Sequence, residues 1–570
     1  MSISSPRLDT TNFSINEKSP MEGGHETITP RGGVDGEVLA DLGYKQELKR
    51  GFSTLENFGI SFTIISVVTG ISTQFAFGLS NGGPGVMSIG WIIVSFFTMI
   101  VALAMAEIVS ACPTSGGPYH WAALLARPSQ SPFAAYCTGF FNLLGQAAVT
   151  AGIVYGCSGL IATLASLHGF EVTAAKEVGV SAGLLVFAGL VNTFGIKFLA
   201  ILNQFSIALH SVGVFSIVVA LLAKAPTHRT AKEVFATYND ASGWGERASP
   251  SYVALTGILL SVYTQTGFDA SAHMSEETAN AAQNAPRGIL MAVGASAVFG
   301  FFVLVGFLFS IQDFDATIDS SVGQPVLQIF IDVFGKSGAT AAFSIVILCV
   351  VLCGTFSVTS NSRMYYSCAR DSLLPKWFAH VNDRFSSPIR TVWLAVVLAF
   401  ILILPALGSS VAFAAVTAIA TSGLYISYAL PVAYRLFEHE TFLEIRGPFY
   451  RGRFSRPIAF ACVFYVMFIT VVFCLPTTTP VTSQTLNYTP IALGIVFFYV
   501  IISWFAFARK TFHGPRAVAL KEASRALGEN ANMMNQLQRE ITTESAMKKK
   551  EGVDTKIKAV DTQEVNSGYK

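Results

Sequence analysis

Long apolar segments recur through most of this chain, and they decide what it can fold into. A helix needs about 17–25 predominantly apolar residues to cross a bilayer. We number the twelve segments of that kind 1 (55–80), 2 (87–111), 3 (132–163), 4 (179–198), 5 (200–223), 6 (252–274), 7 (288–311), 8 (338–360), 9 (391–407), 10 (410–434), 11 (458–475) and 12 (488–508). Because the bilayer core offers no water to backbone groups, spanning segments of this length form helices. The pattern predicts an all-α polytopic membrane protein with twelve transmembrane helices.

The composition agrees with this prediction. Hydrophobic residues make up 52% of the chain and charged residues only 13%, whereas about a quarter of the residues of a soluble protein are charged. The formal net charge is +2, and no basic tract with interleaved aromatic residues indicates a nucleic-acid partner. The eight cysteines are scattered in or beside apolar segments, which favours neither a disulfide framework nor a zinc site. We expect the lipid bilayer as a partner, and neither a metal nor an organic cofactor.

The chain ends differ from the middle in composition. Residues 1–50 are rich in Ser, Thr, Gly and charge, so we expect a disordered tail without a cleavable signal peptide. Residues 509–570 are also polar and charged and predict a second tail. Between the tails, residues 51–434 hold segments 1–10 and form the predicted core. Residues 435–508 add segments 11 and 12.

The distribution of Lys and Arg predicts the orientation in the membrane, because cytosolic loops carry the excess. The basic residues after segments 8 and 10 are Arg363, Arg370, Lys376, Arg384, Arg390, Arg435, Arg446, Arg451, Arg453 and Arg456. The loops after segments 9 and 11 carry none, the loop after segment 7 carries a single Lys336, and the loop after segment 5 is an exception with four. Both tails are therefore expected in the cytosol. A glycosylation sequon at Asn487 would then face outside, but too close to the membrane to be used.

Segment 1 has polar residues and glycine at its centre, in the stretch 67–73, where a lipid-facing helix would be apolar. A broken helix at membrane depth is tolerated only inside protein or along a cavity. We expect the second half-helix to begin near Gly70, where free N–H groups and the positive dipole end favour a carboxylate. The residues predicted to bind substrate there are Ser66, Thr69, Gly70, Ile71 and Ser72.

Segment 6 repeats this feature in the stretch 263–269. Glycine-interrupted segments at matching places in two halves of a chain are the best sequence indication of a transporter's binding site. The residues predicted to bind substrate here are Tyr263, Thr266, Gly267 and Phe268. The alternative is that both stretches are small-residue patches for close helix packing.

Polar residues of segments 3 and 6 are further candidates. Asn142, Gln146 and Thr150 share one helix face, where they either line a cavity with Gln146 toward substrate or join neighbouring helices by hydrogen bonds. Asp269 stands where the second half-helix of segment 6 would start, so it is either a helix cap or a functional carboxylate. His273 lies one turn further along the same face and is of a residue type that titrates near neutral pH.

Two more residues are assigned to coupling or gating together with Asp269 and His273. Glu107 is an ionisable residue at the end of segment 2 and is either functional or bonded to the Gly/Pro-rich loop 113–121. Thr359 brings a hydroxyl to the part of segment 8 where a coupling-ion site would lie. No nucleophile elbow, phosphate loop or HExxH pattern occurs, so an enzyme is not predicted.

Several motifs match a known family in combination. They are 42–50 (LGYKQELKR), 69–71 (TGI), 82–84 (GGP), 106–108 (AEI), 113–117 (PTSGG), 266–277 (TGFDASAHMSEE), 358–364 (VTSNSRM) and 370–371 (RD). With them the chain resembles the amino acid–polyamine–organocation transporters, specifically the amino acid/choline branch of fungi and plants. The resemblance covers about residues 40 to 515.

The resemblance implies a five-plus-five inverted-repeat (LeuT-like) core with helices 1 and 6 broken, followed by two extra helices. It implies a substrate carboxylate on the amides around Gly70 and an amino group near the carbonyls of 263–266. The expected function is a fungal secondary active transporter that imports an amino acid or GABA, with a proton as second partner, by alternating access. We expect it in the plasma membrane, with the vacuolar membrane as an alternative. Other functions left open are a choline, thiamine or polyamine permease and a non-transporting nutrient sensor.

The chain departs from the family pattern at several positions. Phe268 stands where relatives often have Tyr, His120 where they have an aromatic residue, and Ala147 where plant proteins have Trp. Proton-coupled members elsewhere in the superfamily use a lysine in segment 5, where this chain has Asn203 and His210. The substrate and the coupling residue therefore stay open at this point.

Overall fold

The computed structural model describes residues 35–515, except 37, 38, 41, 43, 321, 409–411 and 484. The predicted tail beyond 515 and the first 34 residues lie outside the described part. Within the described part helices dominate, and β-structure is limited to three isolated bridges. The prediction of an all-α polytopic membrane protein is confirmed.

Eleven helices in the described part are long and apolar enough to cross a membrane. They are Thr54–Ser80, Gly83–Ala111, Ser131–Leu167, Ala174–Thr193, Ile196–Lys224, Ala281–Phe309, Pro325–Arg370, Ile389–Leu407, Phe413–Phe437, Gly452–Cys474 and Thr489–Thr511. Segment 6 is instead carried by three shorter helices, Pro250–Gly257, Leu259–Thr264 and Ala270–His273. The eleven helices and this interrupted segment occupy the twelve predicted positions.

Short helices occur in the connections. They are Pro118–Leu125, Ala231–Ala236, Phe314–Ile318 and His439–Ile445, with single 3₁₀ turns at Gly245–Arg247, Ser275–Glu277, Lys376–Phe378 and Gly452–Phe454. The loop after segment 5 has its own structure, which includes the helix Ala231–Ala236. It folds back onto the start of segment 2, where the amide of Gly82 donates to the carbonyl of Asn239 at 2.8 Å.

The helices pack in two groups. Segment 7 lies along segment 2 and against the first half of segment 1, while segment 6 packs on the second half of segment 1. Segment 3 packs against segments 8 and 10, and segment 4 against segment 9. Segment 11 lies outside them, and its exposed side chains Phe460, Phe464, Met467 and Val471 are apolar. Such a surface suits lipid, because hydrocarbon solvates it without cost.

The predicted N-terminal tail ends earlier than expected. The side chains of Tyr44, Leu48 and Phe52 are each 1% exposed, and they lie within the helical body. The prediction of a disordered tail up to residue 50 is therefore wrong for 44–50. The prediction fails because it rests on overall composition. The segment is polar overall, but the residue at every fourth position, 44, 48 and 52, packs against the protein. We call residues 44–52 the N-terminal strap, and the side of the molecule that holds it the strap face.

Two of the arginines assigned to loops lie inside helices. The helix of segment 8 continues to Arg370, so Arg363 is within it and 1% exposed. Its Nε donates to Glu277 at 2.8 Å. Arg435 in segment 10 is also 1% exposed. Removing one partner of such a buried ion pair is strongly destabilising, because the other charge stays desolvated.

Candidate substrate and proton site

The break in segment 1 is made by Ser66. Its backbone adopts a left-handed conformation with φ of 34°, which ends the helix Thr54–Ile65 and starts the helix Val67–Ser80. A non-glycine residue rarely adopts this conformation, so the surroundings must stabilise it. The Ser66 hydroxyl contacts the hydroxyl of Thr69 at 2.5 Å and Nε2 of His210 at 2.8 Å. His210 lies in a π-helical turn of segment 5, and such turns often occur at functional sites.

The position of the break corrects the expected anion seat. The second half-helix begins at Val67 rather than near Gly70, and the Gly70 amide already donates to the Ser66 carbonyl at 3.3 Å. Among the described residues, the N–H groups of Val67 and Val68 have no hydrogen-bond partner. The free amides of the helix start therefore lie about three residues before the predicted stretch Gly70–Ser72.

Gly70 itself is needed for close packing. A Cβ at Gly70 would lie 2.7 Å from the Cα of Thr264 in segment 6. Ile71 is fully buried in the apolar core, and the Ser72 carbonyl accepts a hydrogen bond from the Gln324 side chain at 3.1 Å. For these residues the helix-packing alternative describes the structure better than direct substrate binding.

The break in segment 6 is made by Gly267, as predicted from its glycine. Its φ is 99°, and a Cβ there would lie 2.7 Å from Cγ2 of Ile64. The positive φ and the close approach of Ile64 both exclude a side chain at this position. The two breaks therefore touch, because Gly267 lies against the end of the first half-helix of segment 1.

Ser61 fixes the unwound part of segment 6. Its hydroxyl donates to the carbonyl of Phe268 at 3.0 Å and accepts from the amide of Ser271 at 2.9 Å. In the described part of the chain, the amides of 267–269 have no hydrogen-bond partner. Phe268 is buried with its ring centre 5.3 Å from that of Tyr428, and the Thr266 hydroxyl donates to the Val262 carbonyl at 2.8 Å.

Asp269 does not cap a helix, so that interpretation is wrong. No cap hydrogen bond forms at its position, and its carboxylate instead accepts from the Gln146 side-chain amide at 2.7 Å. Nε2 of His273 lies 3.2 Å from the same oxygen. Local sequence could not show this, because Gln146 comes from segment 3, 123 positions away.

The hydrogen bonds around His273 require an additional proton. Its Nδ1 lies 2.8 Å from the carbonyl of Ser115, which only accepts, so Nδ1 carries hydrogen. A neutral ring would then present a bare Nε2 to a carboxylate oxygen. The contact with Asp269 is favourable only when one more proton lies between them, on the imidazole or on the carboxyl group. Both side chains are at most 1% exposed, so water does not substitute for that proton.

His210 provides the opposite case. Its Nδ1 donates to the Ser206 carbonyl at 2.9 Å, and its Nε2 faces the Ser66 hydroxyl, which can donate. A neutral ring satisfies both contacts. His210 therefore supports the break at Ser66 without holding an extra proton.

The polar stripe of segment 3 joins helices. Asn142 donates to Ser427 of segment 10 at 2.9 Å, and Thr150 contacts Ser357 of segment 8 at 2.6 Å. Gln146 bonds Asp269 through its side chain, and its carbonyl accepts from Asn361 at 2.8 Å. The interpretation as interhelical hydrogen bonding therefore holds for all three side chains, and Gln146 also belongs to the site.

The structure separates Glu107 and Thr359 from the paired breaks. Glu107 forms a buried ion pair with Arg435 and accepts from the backbone amide of Arg451 at 2.8 Å. The Thr359 hydroxyl donates to Asn192 of segment 4 at 2.6 Å. Glu107 therefore connects segment 2 to the helix of segment 10 and the loop after it, and Thr359 connects segment 8 to segment 4. These contacts favour the structural interpretation of Glu107.

A cavity of about 320 Å³ lies on the side opposite the strap face. Gln74, Tyr263 and Thr417 line it, and the loop 477–488 flanks it. Tyr263 joins this cavity to the second break. The side chain of Asn487 donates to the carbonyls of Phe473 and Leu475 at 2.7 and 2.8 Å, so the sequon amide is already engaged.

Sequence reasoning missed two features of the site. Ser66 was grouped with its neighbours, although nothing in its residue type marks it as a left-handed residue. The sequence marks Asn361 only as part of the motif 358–364, directly after segment 8, and gives no indication of Tyr428. A polar residue at the end of an apolar segment is the available signal for Asn361, whereas buried tyrosines have no such signal.

A helical membrane protein with two touching helix breaks, free amides at both and a buried aspartate–histidine pair has the architecture of a membrane transport protein. The family model for amino acid permeases matches residues 52–500. The chain belongs to the amino acid permease family.

Curated relatives agree with this assignment. The chain is 41% identical over 496 residues to the amino-acid permease BAT1 homolog of Oryza sativa subsp. japonica, with 84% of this chain and 94% of that protein covered. It is 38% identical over 512 residues to amino-acid permease BAT1 of Arabidopsis thaliana, covering 86% and 98%. It is 31% identical over 496 residues to the GABA-specific permease of Saccharomyces cerevisiae, covering 84% and 86%. These proteins are permeases, so the chain is a transporter rather than an enzyme.

Proposed function

We propose that this protein imports an amino acid or GABA across a fungal plasma membrane together with protons. The observation that carries the proposal is the paired break, where free backbone amides and the Asp269–His273 pair lie within one buried cluster. The names of the relatives, amino-acid permease and GABA-specific permease, support the substrate class.

The substrate carboxylate binds at the start of the second half-helix of segment 1. The N–H groups of Val67 and Val68 point out of the helix end, and the helix dipole adds positive potential there. The amides of 267–269 supply further donors from the opposite break. Two sets of N–H donors suit an anion and give nothing to a bare cation.

The residues that remain in the binding role are those at the two breaks. Ser66 and Thr69 form the first break, Thr266, Gly267 and Phe268 the second, and Gln146 connects the site to segment 3. Tyr263 lines the route from the outer cavity. The amino group of the substrate lies near the unwound carbonyls of 263–266, as the family resemblance implies.

Asp269 and His273 carry the coupled proton. The closed arrangement holds one proton between them, because the Ser115 carbonyl fixes the ring orientation. Separation of segment 6 from the loop 113–117 removes that constraint and lets the proton leave. Proton release is thereby tied to a conformational step, which alternating access needs.

Both tails face the cytosol in this proposal, so the strap face is the cytosolic face and the cavity at Gln74 opens outward. Moving one charge through 100 mV is worth about 2.3 kcal/mol, which corresponds to roughly 50-fold accumulation. A membrane with an inward proton gradient supplies that energy.

Competition for uptake tests the carboxylate seat. In permease-deficient yeast expressing the protein, free GABA and neutral amino acids should compete with labelled GABA or alanine. Their methyl esters and amides should compete at least tenfold less well, since a buried dipole contact is worth up to about 2 kcal/mol. Equal competition by choline or by an amino-acid ester would exclude the carboxylate seat.

A further inference from the structure

The N-terminal strap closes the strap face by direct hydrogen bonds to residues 277–279, which follow segment 6. The amides of Gly51 and Phe52 both donate to the Glu277 carbonyl, at 2.9 and 3.0 Å, and the Ala279 amide donates to the Phe52 carbonyl at 3.0 Å. Arg50 donates to the Thr278 carbonyl at 2.7 Å. The first half-helix of segment 1 follows the strap within two residues, so any opening of this face that swings that helix must first release the strap.

Tyr44 is the deepest polar contact of the strap. Its hydroxyl donates to the carboxylate of Asp371 at 2.9 Å and lies 2.9 Å from Nε2 of His120. Nε2 of His120 also lies 2.8 Å from Asp371. Because the single hydroxyl hydrogen of Tyr44 goes to the carboxylate, Nε2 carries hydrogen and donates to both groups. Three distant parts of the chain therefore meet in one buried hydrogen-bonded cluster.

The other nitrogen of His120 has a partner that can reverse. Nδ1 lies 2.8 Å from the Thr114 hydroxyl, which donates to a bare nitrogen or accepts from a protonated one. The ring can thus gain or lose a proton without moving. The neighbouring Cys112 thiol lies 3.8 Å from the same hydroxyl and is the adjacent partner when that hydroxyl turns away.

Other charged and titratable groups around His120 keep their charge near neutral pH or stay neutral. Burial alone would raise the pKa of Glu276, but Arg370 and the Ser115 amide outweigh burial and hold this pKa below its ordinary value. Arg370 pairs with Glu276 at 2.9 Å and lies over the Tyr44 ring.

Burial raises the pKa of Tyr119, whose ring centre is 5.1 Å from that of His120. Among these groups, His120 is the one whose residue type changes charge near neutral pH.

We propose that His120 and Asp371 form a second proton site, on the strap face, which binds a cytosolic proton and holds the N-terminal strap closed. The cytosolic assignment rests on the proposed function, but the effect of protons on the strap does not. Protonated His120 pairs with Asp371 as an ion pair only while the strap and loop 113–120 stay packed on segment 8. Binding of a proton therefore favours the closed state by linkage.

The direction of the effect follows from that linkage. As the cytosol becomes acidic, more molecules hold the proton at His120 and the strap opens less often. Import with protons would then slow as protons accumulate inside. The site acts as a feedback on the gate, separate from the proton held at Asp269 and His273.

Amide hydrogen exchange of the full-length protein in lipid nanodiscs tests this directly and needs no transport. Exchange of the Gly51 and Phe52 amides reports release of the strap, since both donate to Glu277. After correction for the intrinsic rate, release at pH 6.0 should be roughly fivefold rarer than at pH 7.5. In His120→Gln the pH dependence should disappear. An unchanged pH dependence in this variant, or none in the wild type, overturns the proposal.

Three further variants keep the test decisive. Asp371→Asn removes the carboxylate while Tyr44 and His120 stay, and it should lose the pH dependence like His120→Gln. His168→Gln changes an exposed histidine on another part of the surface, and it should behave as the wild type. If His120→Gln does not fold, His120→Phe places an aromatic ring there and serves the same comparison. Failure of the uptake experiments with an intact pH effect on the strap would reject the transport proposal alone.

Discussion

Two buried histidine–aspartate pairs lie in the described part of this molecule, and they differ in the hydrogen-bond partner of the second ring nitrogen. At His273 that nitrogen donates to the Ser115 carbonyl, which can only accept. At His120 it meets the Thr114 hydroxyl, which can donate or accept. The first pair needs its proton as long as the structure stays closed, whereas at the second pair the ring can gain or lose a proton without moving. One hydrogen-bond partner thus separates a site suited to carrying a proton from a site suited to sensing one.

The aspartates should give the largest difference between the two pairs. Asp269→Asn should abolish accumulation of substrate, because no carboxylate is left to share the proton with His273. The loss is expected to approach the roughly 50-fold gradient that one charge supports at 100 mV. Asp371→Asn should keep accumulation within about threefold of the wild type, since this buried pair lies apart from the proposed coupling site and the altered hydrogen bonding is worth about 1 kcal/mol or less. Steady-state uptake of labelled GABA or alanine by intact cells measures both.

Surface expression is the control for these variants, because a buried carboxylate can also affect folding. Equal accumulation by Asp269→Asn and the wild type would remove Asp269 from the coupling site. Loss of accumulation by Asp371→Asn at normal surface expression would make the second pair part of the transport machinery.

Three histidines are buried in the described part of the chain, and the accumulation defects of their variants should follow from their hydrogen-bond partners. His273→Gln should lower accumulation at least tenfold, since the amide cannot hold an added proton. His210→Gln should retain accumulation within about threefold, because a glutamine side chain reproduces a donor and an acceptor. His120→Gln should also accumulate normally. The same uptake assay compares them, and a His210→Gln defect larger than that of His273→Gln would reverse the assignment.

The sequence predicted most of the framework because helix length and hydrophobicity are local properties. Segment limits agree with the helices to within three residues in segments 1, 9 and 12, but segment 8 extends from Pro325 to Arg370 with a kink at Gly335. Its part beyond residue 360 is polar and packs inside the protein, so an apolar window could not show it. Gly267 was found because only glycine fits its φ of 99°.

The partners of the site residues could not be predicted, because they come from distant segments. Ser66 takes a left-handed conformation supported by His210, which is 144 positions away. The local sequence of Asp269 is compatible with a helix cap, but in the structure its carboxylate accepts from Gln146. The local sequence of Gly70 predicts space for a substrate carboxylate, but Thr264 fills that space. Short-range patterns located the breaks, and long-range packing decided which atoms are free.

The hydroxyl of Thr114 should give the smallest effect and the sharpest test of the comparison. Thr114→Val keeps the side-chain shape but leaves Nδ1 of His120 without a partner in either protonation state. Such a loss is worth about 1 kcal/mol. The difference in strap release between pH 6.0 and pH 7.5 should therefore shrink by a factor of about two to three relative to the wild type, while substrate accumulation stays normal. Hydrogen exchange at Gly51 and Phe52 reads this out. If Thr114→Val kept the pH dependence of strap release seen in the wild type, the Thr114 hydroxyl would not be what allows His120 to gain and lose a proton.

Proton influx measured together with substrate uptake tests the central proposal most directly. Purified protein in liposomes, with the membrane potential clamped to zero and the lumen one pH unit more alkaline, should accumulate labelled GABA or alanine about tenfold per coupled proton. A pH dye in the lumen should record matching proton entry, and Asp269→Asn should show neither signal. Equilibration of the substrate without accumulation or proton entry in the wild type would contradict coupling at Asp269 and His273.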